Sequence, residues 1–119
     1  MKWGWTIALL LFTGCASEID RLEEPKNLIP KEKMLTILTE FTKLEAYIQS
    51  EYVQPGRYHK VMVNSGDSLL KVYGETKASF EASIEYYGSR QDEMSKMYEE
   101  VLERLNKELG EIQSVTTKE

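Results

Sequence analysis

A chain of 119 residues has room for one domain of ordinary size and excludes two. Hydrophobic residues at 41% and charged residues at 29% match a chain that folds around a core, which sets aside an intrinsically disordered polymer. Twenty acidic against fifteen basic residues give a formal charge of −5 with no basic cluster, so a phosphate backbone is repelled and no nucleic-acid partner is expected.

The first element is a short positive start with Lys2, an apolar run from Trp5 to Phe12, and the small residues Thr13-Gly14 before Cys15. That run is too short to span a bilayer, which takes about 20 residues. It has the form of a secretory signal. Leu11-Phe12-Thr13-Gly14-Cys15 resembles a bacterial lipobox, with Phe12 where Leu is usual. The resemblance implies cleavage after residue 14 and lipidation of the Cys15 thiol. Cys15 is the only cysteine, so no second thiol competes for it. Two or more acyl chains, at ~0.8 kcal/mol per buried methylene, make such an anchor effectively permanent. An ordinary cleaved signal with an incidental cysteine, or an uncleaved amino-terminal anchor, are the competing readings. Ala16 after the cysteine, by analogy with lipoprotein sorting in better-known Gram-negative bacteria, favours the outer membrane. Glu18 and Asp20 loosely resemble acidic surface-export signals, leaving the periplasmic and outer faces both open. Residues 15–24 read as a lipidated cysteine and flexible tether.

Residues 25–113 carry helical periodicity. Pro25 and Pro30 give an extended approach, and Pro30 suits the first position of a helix with Glu32 near its positive end. Met34, Ile37, Leu38, Phe41, Leu44, Ile48 and Tyr52 then recur every three or four residues, one apolar stripe on a helix of some 20 residues. Pro55-Gly56 breaks the chain. The next stretch carries Tyr58, Val61, Met62, Leu69, Leu70 and Tyr73. Asn64-Ser65-Gly66 interrupts it, so it reads as one bent helix or two short ones, with Asp67 or Ser68 able to cap a fresh turn. Gly74 suits a left-handed cap.

A third helix begins at a Thr76 cap and shows Phe80, Ser83, Ile84 and Tyr87 on one face before Gly88 ends it. Ser89 and Asp92 are spaced close to a capping box for the fourth. Its apolar side holds Met94, Met97, Tyr98, Val101, Leu102, Leu105, Leu109 and Ile112, each contributing about 1.5–3 kcal/mol if fully buried. Residues 114–119 read as a frayed tail. No run alternates with period two. The fold class expected is all-α, a small antiparallel bundle of about four helices.

Taken together these residues resemble a known family. Asn27-Leu28-Ile29-Pro30, Lys33-Met34, Ile37-Leu38 and Glu45-Ala46 resemble the first half of domain of unknown function 4296 (DUF4296). Val72-Tyr73-Gly74, Phe80, Ser83, Tyr86-Tyr87, Tyr98, Val101, Leu102 and Leu105 resemble its second half. The resemblance spans about residues 25–108. Glu75 stands where the family commonly has Ile or Leu. The family consists largely of Bacteroidota lipoproteins, so the resemblance implies an exported helical lipoprotein and brings no established activity.

Candidate sites are few. His59 is the only histidine and lacks a second His or Cys to form a metal site or triad, so it reads as a solvated helix-surface residue. Neighbouring acids such as Glu99-Glu100 and Glu23-Glu24 diverge on a helix and read as surface. There is no phosphate-cradling glycine loop and no Gly-x-Ser-x-Gly elbow. No catalytic set, metal or cofactor is expected. Phe80, Tyr86 and Tyr87 are candidate partner contacts as well as core. Tyr86 and Tyr87 lie about 100° apart on a helix, so one ring is expected to be more exposed. Asp67-Ser68-Leu69 fits a short O-glycosylation pattern at Ser68, against a plain capping role for Asp67.

The expected function is a membrane-anchored, non-enzymatic lipoprotein of the cell envelope, carrying palmitate-type acyl chains and docking as an accessory or scaffolding subunit on another envelope protein. The alternative is a chaperone-like binding module for a small apolar ligand, peptide or unfolded client. An open groove lined by Met and Tyr would mark it. An enzyme whose site is assembled with a partner is the third class.

Overall fold

The computed structural model describes residues 21–118, in which four helices follow one another: α1 (Lys31–Glu51), α2 (Pro55–Val72), α3 (Lys77–Gly88) and α4 (Gln91–Thr116). The architecture is an all-α bundle with no strand among the described residues. The signal segment, Cys15 and the tether as far as Asp20 lie outside the described residues. No described helix is long and apolar enough to cross a membrane.

The stripe on α1 organises the rest. Met34, Leu35, Ile37, Leu38 and Ile48 are buried, and Thr39 joins them by turning its hydroxyl onto the Leu35 carbonyl at 2.8 Å. Phe41 and Leu44 are half-buried, while Tyr52 lies just past the helix end and is exposed. The core cluster adds Ile29, Leu70, Tyr87, Met97 and Val101. It thus draws on all four helices and on the residue just before Pro30. On its other flank α1 meets α4 through charge. Arg104 reaches Glu32 at 2.8 Å and Thr36 Oγ1 at 3.3 Å, and Lys43 bridges Glu40 at 2.6 Å and Glu108 at 2.8 Å.

Asn64-Ser65-Gly66 does not interrupt α2, which runs as one helix from Pro55 to Val72. Gly66 is buried, and a methyl group on it would stand 3.0 Å from Phe41 Cε1. The glycine lets α1 and α2 approach closely instead of breaking the chain, and Phe41 in turn stacks on Phe80 of α3 with ring centroids 5.0 Å apart. Asp67 and Ser68 are consequently helix-interior residues and cap nothing. The Ser68 hydroxyl donates back to the Asn64 carbonyl at 3.0 Å.

The α2–α3 turn follows the expected chemistry and adds to it. Gly74 has φ +70°, with its N–H on the Lys71 carbonyl at 3.0 Å and the Glu75 N–H on the Leu70 carbonyl at 2.9 Å. This is the Schellman arrangement that satisfies the orphan carbonyls of a helix end. Thr76 then caps α3 by a reciprocal pair of bonds with Ser79, at 3.1 and 3.0 Å. Glu75 accepts from Lys33 Nζ at 2.7 Å and from Ser79 Oγ at 2.8 Å, tying the turn to the first turn of α1. The polar residue at this position therefore exchanges apolar turn packing for an ion pair.

The start and end of α4 differ from the sequence reading. Arg90 occupies the N-cap position without a side-chain cap, and no Ser89–Asp92 box forms. Ser89 Oγ instead donates to the Tyr86 carbonyl at 2.7 Å and accepts from the Leu22 N–H at 3.1 Å. Asp92 and Glu93 supply the negative charge that the helix start favours. The helix then continues through Ser114, where fraying was expected, to Thr116. Its apolar side is divided. Met97 and Val101 are buried and Met94 and Leu105 half-buried, but Tyr98, Leu102, Leu109 and Ile112 are 52, 60, 53 and 63% exposed. Positions 97, 101 and 105 face α1, whereas 98, 102, 109 and 112 lie on the adjoining strip of the helix, which no other described element covers.

Glu75 yields an acid-side test. The hydrogen bond from Lys33, then that from Ser79, holds its carboxyl below the ordinary value of 4.5. A lowered carboxyl stabilises the fold fully above 4.5 and loses that contribution as pH falls through its lowered value. Glu75→Gln should cost up to about 1 kcal/mol at pH 7 in urea unfolding, a partly exposed pair being worth no more. The difference from the parent should shrink towards zero as the pH is taken down to roughly 2–3.

Candidate functional site

Three of the residues that carry the family resemblance, Ile29, Ser83 and Tyr87, meet at one place. Ile29 lies in the extended segment before α1 and is completely buried. Its backbone brings a donor and an acceptor into the core, and each must be paired. Ser83 and Tyr87, one turn apart on α3, do this. Ser83 Oγ accepts the Ile29 N–H at 2.9 Å and donates onward to the Ser79 carbonyl at 2.6 Å. The Tyr87 hydroxyl donates to the Ile29 carbonyl at 2.7 Å. An i, i+4 pair of hydroxyl residues thus grips both polar groups of one residue far away in the chain.

Upstream, the segment turns at Pro25, whose carbonyl accepts from the Leu28 N–H at 3.2 Å. It is held again at Leu22, whose N–H donates to Ser89 Oγ and whose carbonyl accepts from Arg90 Nη2 at 3.1 Å. Arg90 is itself fixed by Tyr86. The guanidinium sits 3.9 Å from the ring centroid and Nη1 donates to the Tyr86 carbonyl at 3.2 Å. Arg21 lies 3.7 Å from Asp92. The part of the expected tether from Arg21 onward is therefore laid against the α3–α4 corner, which supplies the partner that fixed structure in this segment requires.

The three aromatic candidates divide accordingly. Tyr87 is 3% exposed and its hydroxyl is engaged inside the protein, so in this fold it is a core residue. Burial, followed by the Glu93 charge, pushes its phenol above the ordinary tyrosine value. Phe80 is half-buried under Phe41, and Tyr86 is half-buried against Tyr87 in an edge contact of 5.2 Å. Their arrangement serves packing and the positioning of Arg90. His59 is exposed on α2, and among the described residues no three His, Cys, Asp or Glu side chains stand close enough to hold a metal ion. Ser68 is exposed, with its backbone inside a regular helix.

Two apolar surfaces were absent from the sequence reading. One is a groove between α1 and α2 lined by Leu44, Tyr47, Leu69 and Val72, with Glu40, Lys43, Ser65 and Ser68 at its edges. Tyr47 and Val72 are 62 and 78% exposed. The signal for it was the i, i+3 spacing of Leu44–Tyr47 and Leu69–Val72, which places each second residue beside its helix's main stripe. The other is the uncovered strip of α4. No methionine lines the groove. Met34 and Met97 are fully buried, and Met62 and Met94 are half-buried.

The chain belongs to the family described as domain of unknown function (DUF4296), which matches residues 25–111. No curated protein and no solved structure matches it.

The clamp gives a direct test. Tyr87→Phe leaves the Ile29 carbonyl buried without its donor, and stability should fall by about 1–3 kcal/mol in urea unfolding at pH 7. A phenol raised by burial contributes fully below its ordinary value of 10.0 and loses the contribution as pH climbs through the raised value. The parent should therefore weaken above pH 10 more steeply than Tyr87→Phe does.

Proposed function

We propose that the chain is a lipid-anchored, non-enzymatic accessory subunit of the bacterial cell envelope, in which Cys15 carries the acyl chains and the bundle docks on a second envelope protein. The carrying observation is the point at which the domain takes hold of its own lead-in. Leu22 is fixed at the α3–α4 corner, seven residues beyond Cys15. At ~3.3–3.6 Å per residue, a lipid on Cys15 keeps that corner within about 25 Å of the bilayer. Ten free residues up to Pro25 would have allowed about 35 Å. A short reach suits a subunit working on a partner in the same membrane better than one sweeping the surrounding space. The outer membrane is the favoured location, following Ala16.

Supporting this reading, the charged side chains near the core are committed to structural pairs. Glu75 is held by Lys33, Lys43 by Glu40 and Glu108, and Arg104 by Glu32. The α1–α2 groove offers a partner an apolar floor of Leu44 and Leu69 beside the exposed Tyr47, a side chain favoured where a surface is half apolar. An apolar helix or strand of the second protein is the chemistry it fits. The chaperone-like alternative gains no support from the α1–α2 groove, which none of the described methionines lines.

The test is isolation of the full chain from mildly solubilised membranes. Labelled palmitate should enter the parent and not Cys15→Ser, and a second, different polypeptide should accompany the parent in about equal amount. Tyr47→Glu should release that polypeptide while far-UV circular dichroism stays unchanged. An unlabelled chain contradicts the anchor, and a labelled chain that is recovered alone contradicts the docking role.

A further inference from the structure

The uncovered strip of α4 has the pattern of a coiled-coil seam. Tyr98, Leu102, Leu109 and Ile112 fall at d, a, a and d of one heptad register, whose remaining d position, Leu105, is half-buried against α1. All described residues from Leu109 to Lys118 are exposed, although the helix continues to Thr116. A helix end with an apolar strip and no packing beneath it lacks the contact that ordinarily stabilises helices in proteins. We infer that α4 pairs in parallel with α4 of a second copy of this chain through Leu102, Leu109 and Ile112.

Charge selects both the occupant and the direction. The seam is flanked at its e and g positions by Asn106, Gln113 and Val115, Val101 being buried against α1, and the charges there are Glu99 and Glu108 alone. Glu103, Lys107 and Glu111 lie on the outer positions of the heptad, away from the seam. A parallel pair sets each g residue across from the e residue five further on in the other copy. Glu108 then faces Gln113, and Glu99 meets no charge, since the g position before it, Met94, packs against its own chain's core. No like charges meet, even though the whole chain is at −5. An antiparallel pair centred on Leu109 would oppose Glu108 to Glu108. A foreign helix with the usual charged flanks would find neutral side chains in place of complementary ones. Glu108 is in addition already neutralised within its own chain by Lys43 at 2.8 Å.

The experiment uses the full chain in its membrane with Thr116→Cys, the next a position of the seam and an exposed one. Oxidation should give a disulfide-linked species of twice the chain mass, absent from the parent without the added cysteine. Adding Leu109→Glu and Ile112→Glu should lower its yield at least about tenfold, since each places an unpaired carboxylate in the seam. Glu is a good helix former, so far-UV circular dichroism of these variants should be unchanged. The inference is overturned if no doubled species forms. It is equally overturned if the doubled species survives the two glutamates, or if the introduced thiol links to a different polypeptide instead.

Discussion

The fold depends on how Ile29 is buried. An apolar side chain gains from entering the core, but in a segment without helix or strand it brings an unpaired N–H and C=O with it. Leaving either unsatisfied would cost as much as the side chain gains. Ser83 and Tyr87 resolve this by accepting from one group and donating to the other. The geometry asks for two hydroxyls one helical turn apart, the nearer short and the farther carried on a ring. Once the pair is made, α3 is locked against the start of α1. The Ser83 hydroxyl is held in turn by the Ser79 carbonyl, and Ser79 belongs to the capping box that starts the same helix. Capping, lead-in and core are thus one connected set of hydrogen bonds.

That set also fixes where the chain leaves the domain. The segment passes from Ile29 through the turn at Pro25 to Leu22, which Ser89 and Arg90 hold at the α3–α4 corner. From this same corner α4 departs for 26 residues, a length of about 39 Å at 1.5 Å per residue. In the proposed membrane-bound setting the corner lies within about 25 Å of the bilayer, so anchored copies hold the starts of their α4 helices at the same height above it. The α1–α2 groove lies on a different pair of helices and stays open to a second protein. Pairing through α4 and docking through the groove are compatible on one chain.

Much of the fold could be read from the sequence because the signals were local. The α1 stripe, the Gly74 cap and the Thr76 start each rest on residues within a turn of one another. The misreadings arose where a distant contact changed the meaning of a local one. Gly66 resembles a breaker until Phe41 is seen 3.0 Å from where its methyl would stand. Ser89 resembles a cap until Leu22 is seen to use its hydroxyl. Tyr87 could be placed on the core face from its spacing, but not the bond of its hydroxyl to the Ile29 carbonyl. The α4 stripe could be counted from its spacing, yet spacing alone does not say where the partner helices end, and α4 outlasts them. The proposed anchor at Cys15, by contrast, rests on the sequence alone, on the residues before it.

If the hydroxyl clamp is what joins the lead-in to the bundle, the Ile29 amide belongs to the core and not to a loop. Amide hydrogen exchange followed by NMR reads this at a single residue. Ile29 should exchange only through global opening, as slowly as the buried amides of α1 around Leu38, while Lys26 and Asn27 exchange freely. An Ile29 amide that exchanges as fast as those two neighbours while α1 remains protected would contradict it.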